Sequence, residues 1–277
     1  MNEHTANTVN IVNIVNIVDL IDRAIISIKG ADAADFLQSL VSNDVRKLEQ
    51  QPIIFTALLS PQGKFLFDFF VTKQADGLLL DVNSSRAEEL FKILSRYKLR
   101  AKIELELLSN WGVSVKFPAQ ASENAYLDPR LVELGTRTIA PIATLPTATA
   151  SAKTYEKHRL NLGIPDGAQD AIPERSFLLE LGYEQLNGVS FNKGCYVGQE
   201  VTARSKHRGE LNKHIFQIFA ETDLPPSGSE ITNQERILGE MRSSNETIGL
   251  AILRKEAAQE KLWAGGVEIT ARMPKWW

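Results

Sequence analysis

The sequence predicts an α+β protein that ends in a small β-barrel. Three observations carry that expectation: strand-type runs interleaved with two amphipathic helices up to about residue 110, a Pro- and Thr-rich stretch that breaks the pattern, and an all-strand pattern after Lys213. With 277 residues, 43% hydrophobic and 23% charged, the chain has ordinary globular composition and room for one to three compact units. The expected division is an extension over residues 1–19, a region over 20–212 made of two α+β parts (20–110 and 111–212), and a barrel-like domain over 213–277.

Val9 to Val18 reads VNIVNIVNIV, a three-residue repeat in which Asn10, Asn13 and Asn16 interrupt a β-branched run. Neither helix nor strand gathers those asparagines on one clean face, so the segment reads as a non-catalytic extension, such as an added edge strand, in preference to a partner-binding arm. Ala24 to Ile28 is a short strand, and Asp32 is a candidate N-cap for a helix bearing Phe36, Leu37, Leu40 and Val41. Ile53–Leu59 and Phe65–Val71 flank Ser60-Pro61-Gln62-Gly63, which suits a type I turn, so they form a hairpin. Gly77–Val82 is a further strand. Ser85-Arg86-Ala87-Glu88 reads as the capping box of a helix carrying Leu90, Leu94 and Tyr97, and Lys102–Leu107 alternates as a half-exposed strand. This order resembles a split βαβ, ferredoxin-like unit with one extra strand.

From Phe117 to Ser151, four prolines and weak periodicity predict an excursion over the surface. Tyr155–Leu162 and Glu174–Leu181 are expected as helices stopped by Gly163 and Gly182. Beyond Lys213 come His214–Ala220, a Pro225-Pro226-Ser227-Gly228 break, Thr247–Arg254 and Lys261–Thr270, the strands of the barrel, with Trp276 and Trp277 on its rim.

Lys and Arg number 31 and Asp and Glu 34, a net charge of −3, which argues against general nucleic-acid binding. One cysteine, Cys195, excludes an internal disulfide and an all-cysteine metal cage, and the four histidines show no metal-ligand spacing. No apolar run reaches the roughly 18 residues of a membrane span, and no signal peptide is evident, so a cytoplasmic protein is expected. Walker, GxGxxG, HExxH and GxSxG motifs are missing, which leaves nucleotide hydrolysis, dinucleotide redox chemistry and serine hydrolysis without support.

The densest stretch is KGCYVGQE, Lys193 to Glu200. Its glycines permit tight turns, and Lys193 beside the lone thiol favours a reactive thiolate; the alternative is a buried Cys195 acting as a small hydrophobe. Asp68 is a lone carboxylate in the apolar run FLFDFFV, placed opposite Phe65, Phe67, Phe69 and Val71, where it either meets a ligand or faces water. Glu180, between Leu179 and Leu181, poses the same question. Two such carboxylates would suit a heterocycle with several N–H groups. Arg204-Ser205-Lys206-His207-Arg208 is the one basic cluster, fit for phosphates, RNA or a polyglutamate tail, or else a solvated loop.

KGCYVGQE resembles the signature of the YgfZ family, folate-binding proteins related to the aminomethyltransferase (T-protein) of the glycine cleavage system. The resemblance extends through Lys29–Asp44, Leu58–Val71, Tyr97–Glu104, Asp128–Arg137 and Tyr155–Pro165. It implies a T-protein-like multi-domain fold around a central folate pocket, with tetrahydrofolate or a one-carbon derivative as the bound cofactor. By similarity Asp68 and Glu180 would hold the pterin, Cys195 with Lys193 would carry the family's distinct activity, and Tyr196, Gln199, Glu200 and Arg204 become candidate folate contacts. The role implied is an accessory factor in assembly or repair of iron–sulfur enzymes, with indirect effects on tRNA modification. Partners would be iron–sulfur assembly proteins or their client enzymes. The alternative is a folate-dependent aminomethyltransferase of the glycine cleavage type.

Overall fold

The computed structural model describes residues 15–120, 125–209, 211–233 and 235–277. Of the Asn repeat, Asn10 and Asn13 lie outside the described residues, while its end forms β1 (Asn16–Asp19). There follow β2 (Arg23–Lys29), α1 (Ala33–Gln38), β3 (Ile53–Leu59), β4 (Phe65–Gln74), β5 (Gly77–Asn83), α2 (Ser84–Tyr97) and β6 (Glu104–Leu108). The last five strands form one sheet in the order β3-β4-β5-β2-β6, with every pairing antiparallel. β5 and β6 are therefore parallel, with β2 between them and α2 crossing over, which makes one split βαβ unit. A second unit is missing, because β3 runs antiparallel to β2.

The hairpin turn closes as expected, with Gly63 N–H donating to Ser60 O at 2.8 Å and Gly63 at φ 72°. Two caps differ from expectation. The Asp32 carboxylate accepts from Lys102 N at 2.7 Å instead of capping α1, which ends at Gln38 before Leu40 and Val41. Asn83, one residue ahead of α2, caps it by accepting from Ser85 N at 3.1 Å, so the Ser85 box starts inside the helix. Phe67, Phe69 and Val71 of β4 pack with Leu90 and Leu94 on the helix-covered face of the sheet, and Phe70 lies in the second core on the other face.

That second face meets a four-stranded sheet, β1-β7-β9-β8, made with β7 (Trp111–Phe117), β8 (Ala125–Leu127) and β9 (Thr136–Pro141). The expected surface excursion from Phe117 to Ser151 is thus wrong as far as Pro141, while residues 142–149 are mostly exposed, as expected. Leu134 and Ile139 join the core, and Asp128, Arg130 and Arg137 are buried. Charged residues that bury by pairing leave no apolar period, so the periodicity argument could not register them.

α3 (Ala152–Leu162) stops at Gly163, φ 73°, and α4 (Gly167–Asp170) is capped by Asp166, which accepts from Ala168 N at 2.8 Å. The helix expected over Glu174–Leu181 is not formed. Glu174 sits at φ 60°, and only a 3-10 turn, Leu178–Leu181, precedes Gly182. α5 (Gln199–Arg208) then leads into a closed barrel of β10 (Lys213–Phe219), β11 (Glu230–Thr232), β12 (Ile237–Asn245), β13 (Ile248–Arg254), β14 (Leu262–Ala264) and β15 (Val267–Arg272). Among the described residues no helix is long and apolar enough to cross a membrane.

The barrel is fixed to the body by ions and aromatics. Asp170 accepts from Arg159 Nη1 (2.9 Å), from Asp166 N (2.7 Å), and from both the backbone N and the hydroxyl of Ser243 on β12 (2.9 and 2.6 Å). Trp276 donates to Leu162 O at 2.8 Å, and Trp277 meets His214 edge-on at 4.7 Å.

Removing one member of a buried ion pair leaves an uncompensated charge. Arg159→Met should therefore destabilise the fold by about 3–5 kcal/mol in urea unfolding. A loss below about 1 kcal/mol would show that Asp170 is held well enough by its neutral donors.

Candidate functional site

A cavity of about 570 Å³ opens between the N-terminal sheet, β9, α3 and the barrel. Its wall carries Arg23 at the start of β2, Asp68 and Phe70 on β4, Arg130 ahead of β9, Arg137 on β9, Arg159 on α3, and Asp166 at the cap of α4. Three of the guanidiniums form one buried array. Asp81, with no exposure, accepts from Arg23 Nε at 2.6 Å and Arg137 Nη1 at 2.7 Å. Asp128 accepts from Arg130 Nε and Nη2 at 3.0 and 2.8 Å, and stands 3.7 Å from Arg137 Nη2. The Phe70 ring is their common platform, with guanidinium carbons 4.0 Å (Arg137), 4.9 Å (Arg130) and 5.8 Å (Arg23) from its centroid. Burial works against the Asp128 carboxylate, yet the guanidinium of Arg130, its hydrogen bonds and Arg137 hold it below the ordinary range.

Asp68 accepts from the buried Tyr183 hydroxyl through Oδ2 at 2.8 Å. A Cβ at Gly167 would fall 2.2 Å from its Oδ1, so only glycine lets α4 approach so closely. Burial, then the neighbouring Asp166, raise the proton affinity of Asp68, against the pull of Arg23, the Tyr183 hydrogen bond and Arg130. Asp166 shifts the other way: burial opposes ionisation, but Arg159 and Arg23 hold it low. The cavity thus contains two carboxyls whose proton affinities are pushed apart, beside guanidinium donors. Such a set accepts from ring N–H groups and donates to carbonyl or carboxylate oxygens.

Glu180 does not join Asp68 in this cavity. It sits in the 3-10 turn, raised by burial, and the cations it feels are Lys213, Lys64 and Arg242. Tyr183, three residues further on, reaches Asp68 in its place. Because the expected helix is a turn, Tyr183 rather than Glu180 meets the Asp68 carboxyl.

The motif also differs from expectation. Lys193 is buried and donates to the carbonyls of Gln38, Val41 and Asn43 at 2.7, 2.6 and 2.8 Å. Its ammonium is committed there and to the Tyr196 ring at 5.1 Å, not to the thiol, and burial pushes it down to about 8. Cys195 is exposed, which removes the buried-hydrophobe alternative, and it does not line the central cavity. Tyr196, Gln199, Glu200 and Arg204 do not line the central cavity either. Tyr196 is buried and pushed up to about 12 by burial, Gln199 Oε1 accepts from Tyr196 N at 3.3 Å, and Glu200 pairs with Arg204 at 2.7 Å on the surface. Those side chains are used within the loop and α5. Gly198 seats that helix on the hairpin turn, where a Cβ would meet Ser60 O at 2.6 Å.

Sequence reasoning missed Arg23, Arg130, Arg137, Arg159, Asp166 and Tyr183. A usable signal was present in Asp128-Pro129-Arg130 and in Arg137 within the Thr-rich run, since an arginine in a segment that otherwise reads as strand needs a carboxylate partner. Among the described residues no group of three His, Cys, Asp or Glu side chains could hold a metal ion.

Comparison with known proteins gives two domain families: the GCVT N-terminal domain over residues 2–114, and the CAF17 C-terminal beta-barrel domain over residues 212–277. Iron-sulfur cluster assembly factor IBA57, mitochondrial, from Mus musculus is 33% identical over 300 residues, covering 92% of this chain and 83% of its own. The Homo sapiens protein of that name is 29% identical over 296 residues, with the same coverage. Among solved structures, glycine cleavage system aminomethyltransferase T from Bartonella henselae superposes with a TM-score of 0.71 at 12% identity, covering 95% of this chain and 86% of that one. The fold is therefore that of the aminomethyltransferase, as the T-protein-like expectation had it. The expected cytoplasmic location is corrected, because these relatives are named as mitochondrial.

Two outcomes follow from the geometry. Asp68 holds its proton more tightly folded than unfolded, so its contribution to stability is complete below the unfolded value of 3.8 and is lost as pH rises through the folded value. Asp68→Asn should therefore gain stability relative to the unaltered chain between pH 4 and 7 in urea titrations; a difference that stays flat with pH would remove the buried-carboxyl reading. Lys193→Met strands three carbonyls and should cost about 3 kcal/mol. Cys195→Ser, at an exposed position, should stay within about 0.5 kcal/mol by the same measurement.

Proposed function

The chain belongs to the family of iron-sulfur cluster assembly factor IBA57, and from that premise we propose that it is an accessory factor in assembly or repair of iron–sulfur enzymes that binds a reduced folate in its central cavity. The observation that carries the folate part is the cavity itself. Its 570 Å³ falls within the roughly 300–1,000 Å³ range of small-molecule sites. Its donor set also fits tetrahydrofolate, whose ring N–H and amino groups suit the carboxylates of Asp68 and Asp166. When bound, tetrahydrofolate would supply nitrogen atoms able to carry a one-carbon unit. Tyr183 and Gly167 fix the Asp68 carboxyl against which those nitrogens would rest.

The second element is Cys195. Its exposure puts the thiol within reach of a protein partner rather than of a ligand in the cavity. One thiolate supplies a single ligand, so an iron–sulfur cluster in transit would need its remaining ligands from a partner assembly protein, from glutathione or from sulfide. Effects on tRNA modification would follow indirectly, through client iron–sulfur enzymes.

Titration with tetrahydrofolate should show binding that Asp68→Asn weakens about ten-fold, the worth of one hydrogen bond to a charged group. Cys195→Ser should bind the folate unchanged yet fail to restore iron–sulfur enzyme activity in cells lacking the protein. Full restoration by Cys195→Ser would discard the thiol's role, and release of ammonia from an aminomethylated lipoyl protein would favour aminomethyl transfer instead.

A further inference from the structure

We infer that the arginine wall of the central cavity is a carboxylate receptor, in which the free Nη1 groups of Arg23 and Arg130 grip the anionic end of the ligand. This rests on the reading that the cavity holds a ligand, and it names the group of that ligand which the arginines take. Arg23 spends Nε on Asp81 Oδ1 and Nη2 on the Asp81 carbonyl at 2.7 Å. Arg130 spends Nε and Nη2 on Asp128, and Nη2 also reaches the Tyr155 hydroxyl at 3.4 Å. Among the described residues Nη1 of each has no acceptor, although the two side chains are only 8% and 7% exposed. Neither Nη1 is among the atoms fully sealed from solvent without a partner; both residues line the cavity, so the spare donors open onto it.

Arg137 adds to the case. Its Nε is buried without a partner, and its other nitrogens face Asp81 and Asp128. Three guanidiniums share two carboxylates, which leaves one positive charge over in this array. Asp68, the nearby acid, makes no ion pair with any of them and bonds Tyr183 instead. Asp166 lies under the influence of Arg159 ahead of Arg23. An incoming carboxylate would find two N–H donors already held in place by Asp81, Asp128 and the Phe70 ring, so little reorganisation accompanies binding. The basic run on α5 is less suited, since Arg204 is paired with Glu200 and Lys206 with Glu184.

Calorimetry on the full chain with three probes tests this: tetrahydrofolate, 6-methyltetrahydropterin, which lacks the glutamate, and p-aminobenzoylglutamate, which lacks the pterin. Tetrahydrofolate should bind at least about ten-fold tighter than the pterin, and p-aminobenzoylglutamate should bind measurably. Arg23→Lys and Arg130→Lys keep the charge facing Asp81 and Asp128 but lose the spare N–H. Each should weaken the two carboxylate-bearing probes about ten-fold and leave the pterin within about two-fold. Equal affinity for tetrahydrofolate and the pterin overturns the receptor while the folate reading stands. Arginine-dependent binding of p-aminobenzoylglutamate without binding of either pterin compound upholds the receptor and ends the folate reading. No binding by any probe ends both. The probe comparison on the unaltered chain decides the matter even if a lysine variant fails to fold.

Discussion

The structure depends on a buried chain of charges, Arg23–Asp81–Arg137–Asp128–Arg130, wrapped on the Phe70 ring. It joins β2, β5 and β9 to the segment ahead of β9, and so holds the first sheet against the second. Taking such charges out of water is costly, and apolar replacements of equal volume are often as stable or more so. What the charges supply is direction: each carboxylate fixes the plane of the guanidinium it meets. The wall of the cavity is therefore rigid before anything enters it.

Much of the scaffold was legible because it is local. The β3–β4 hairpin is set by Ser60-Pro61-Gln62-Gly63, the end of α3 by Gly163, and the barrel by short runs between turn residues. Asp68 stood out for the same reason, as a charge amid apolar neighbours. The arginine array was not legible. Only its Asp128–Arg130 pair is local; Arg23 and Arg137 lie 58 and 56 residues from Asp81, and pairing them required the fold. Glu174–Leu181 misled because Leu178, Leu179 and Leu181 are buried by the body and the barrel, which mimics a helical stripe in a stretch whose backbone is turned at Glu174. That error exchanged Glu180 for Tyr183 as the residue that meets Asp68. Lys193 misled through adjacency, since neighbours in sequence point different ways in a loop.

The exposed thiol and the cavity are separate places, and the hairpin is the element they share. Gly198, three residues beyond Cys195, rests on the Ser60–Gly63 turn, and the strand leaving that turn carries Asp68 and Phe70. Val201 of α5 likewise packs where a Cβ on Gly63 would be. The loop around Cys195 thus rests on the turn of the strand pair that carries Asp68 and Phe70 into the cavity wall. The two places are mechanically continuous though chemically distinct.

Gly167 carries the last consequence. Its missing methyl group is a gauge for Asp68: the backbone of α4 and the carboxylate fill one another's space, and neither can change alone. A larger residue at this position would require the acid to be shortened, moved or lost. Two residues far apart in sequence thus constrain each other's size across the pocket wall.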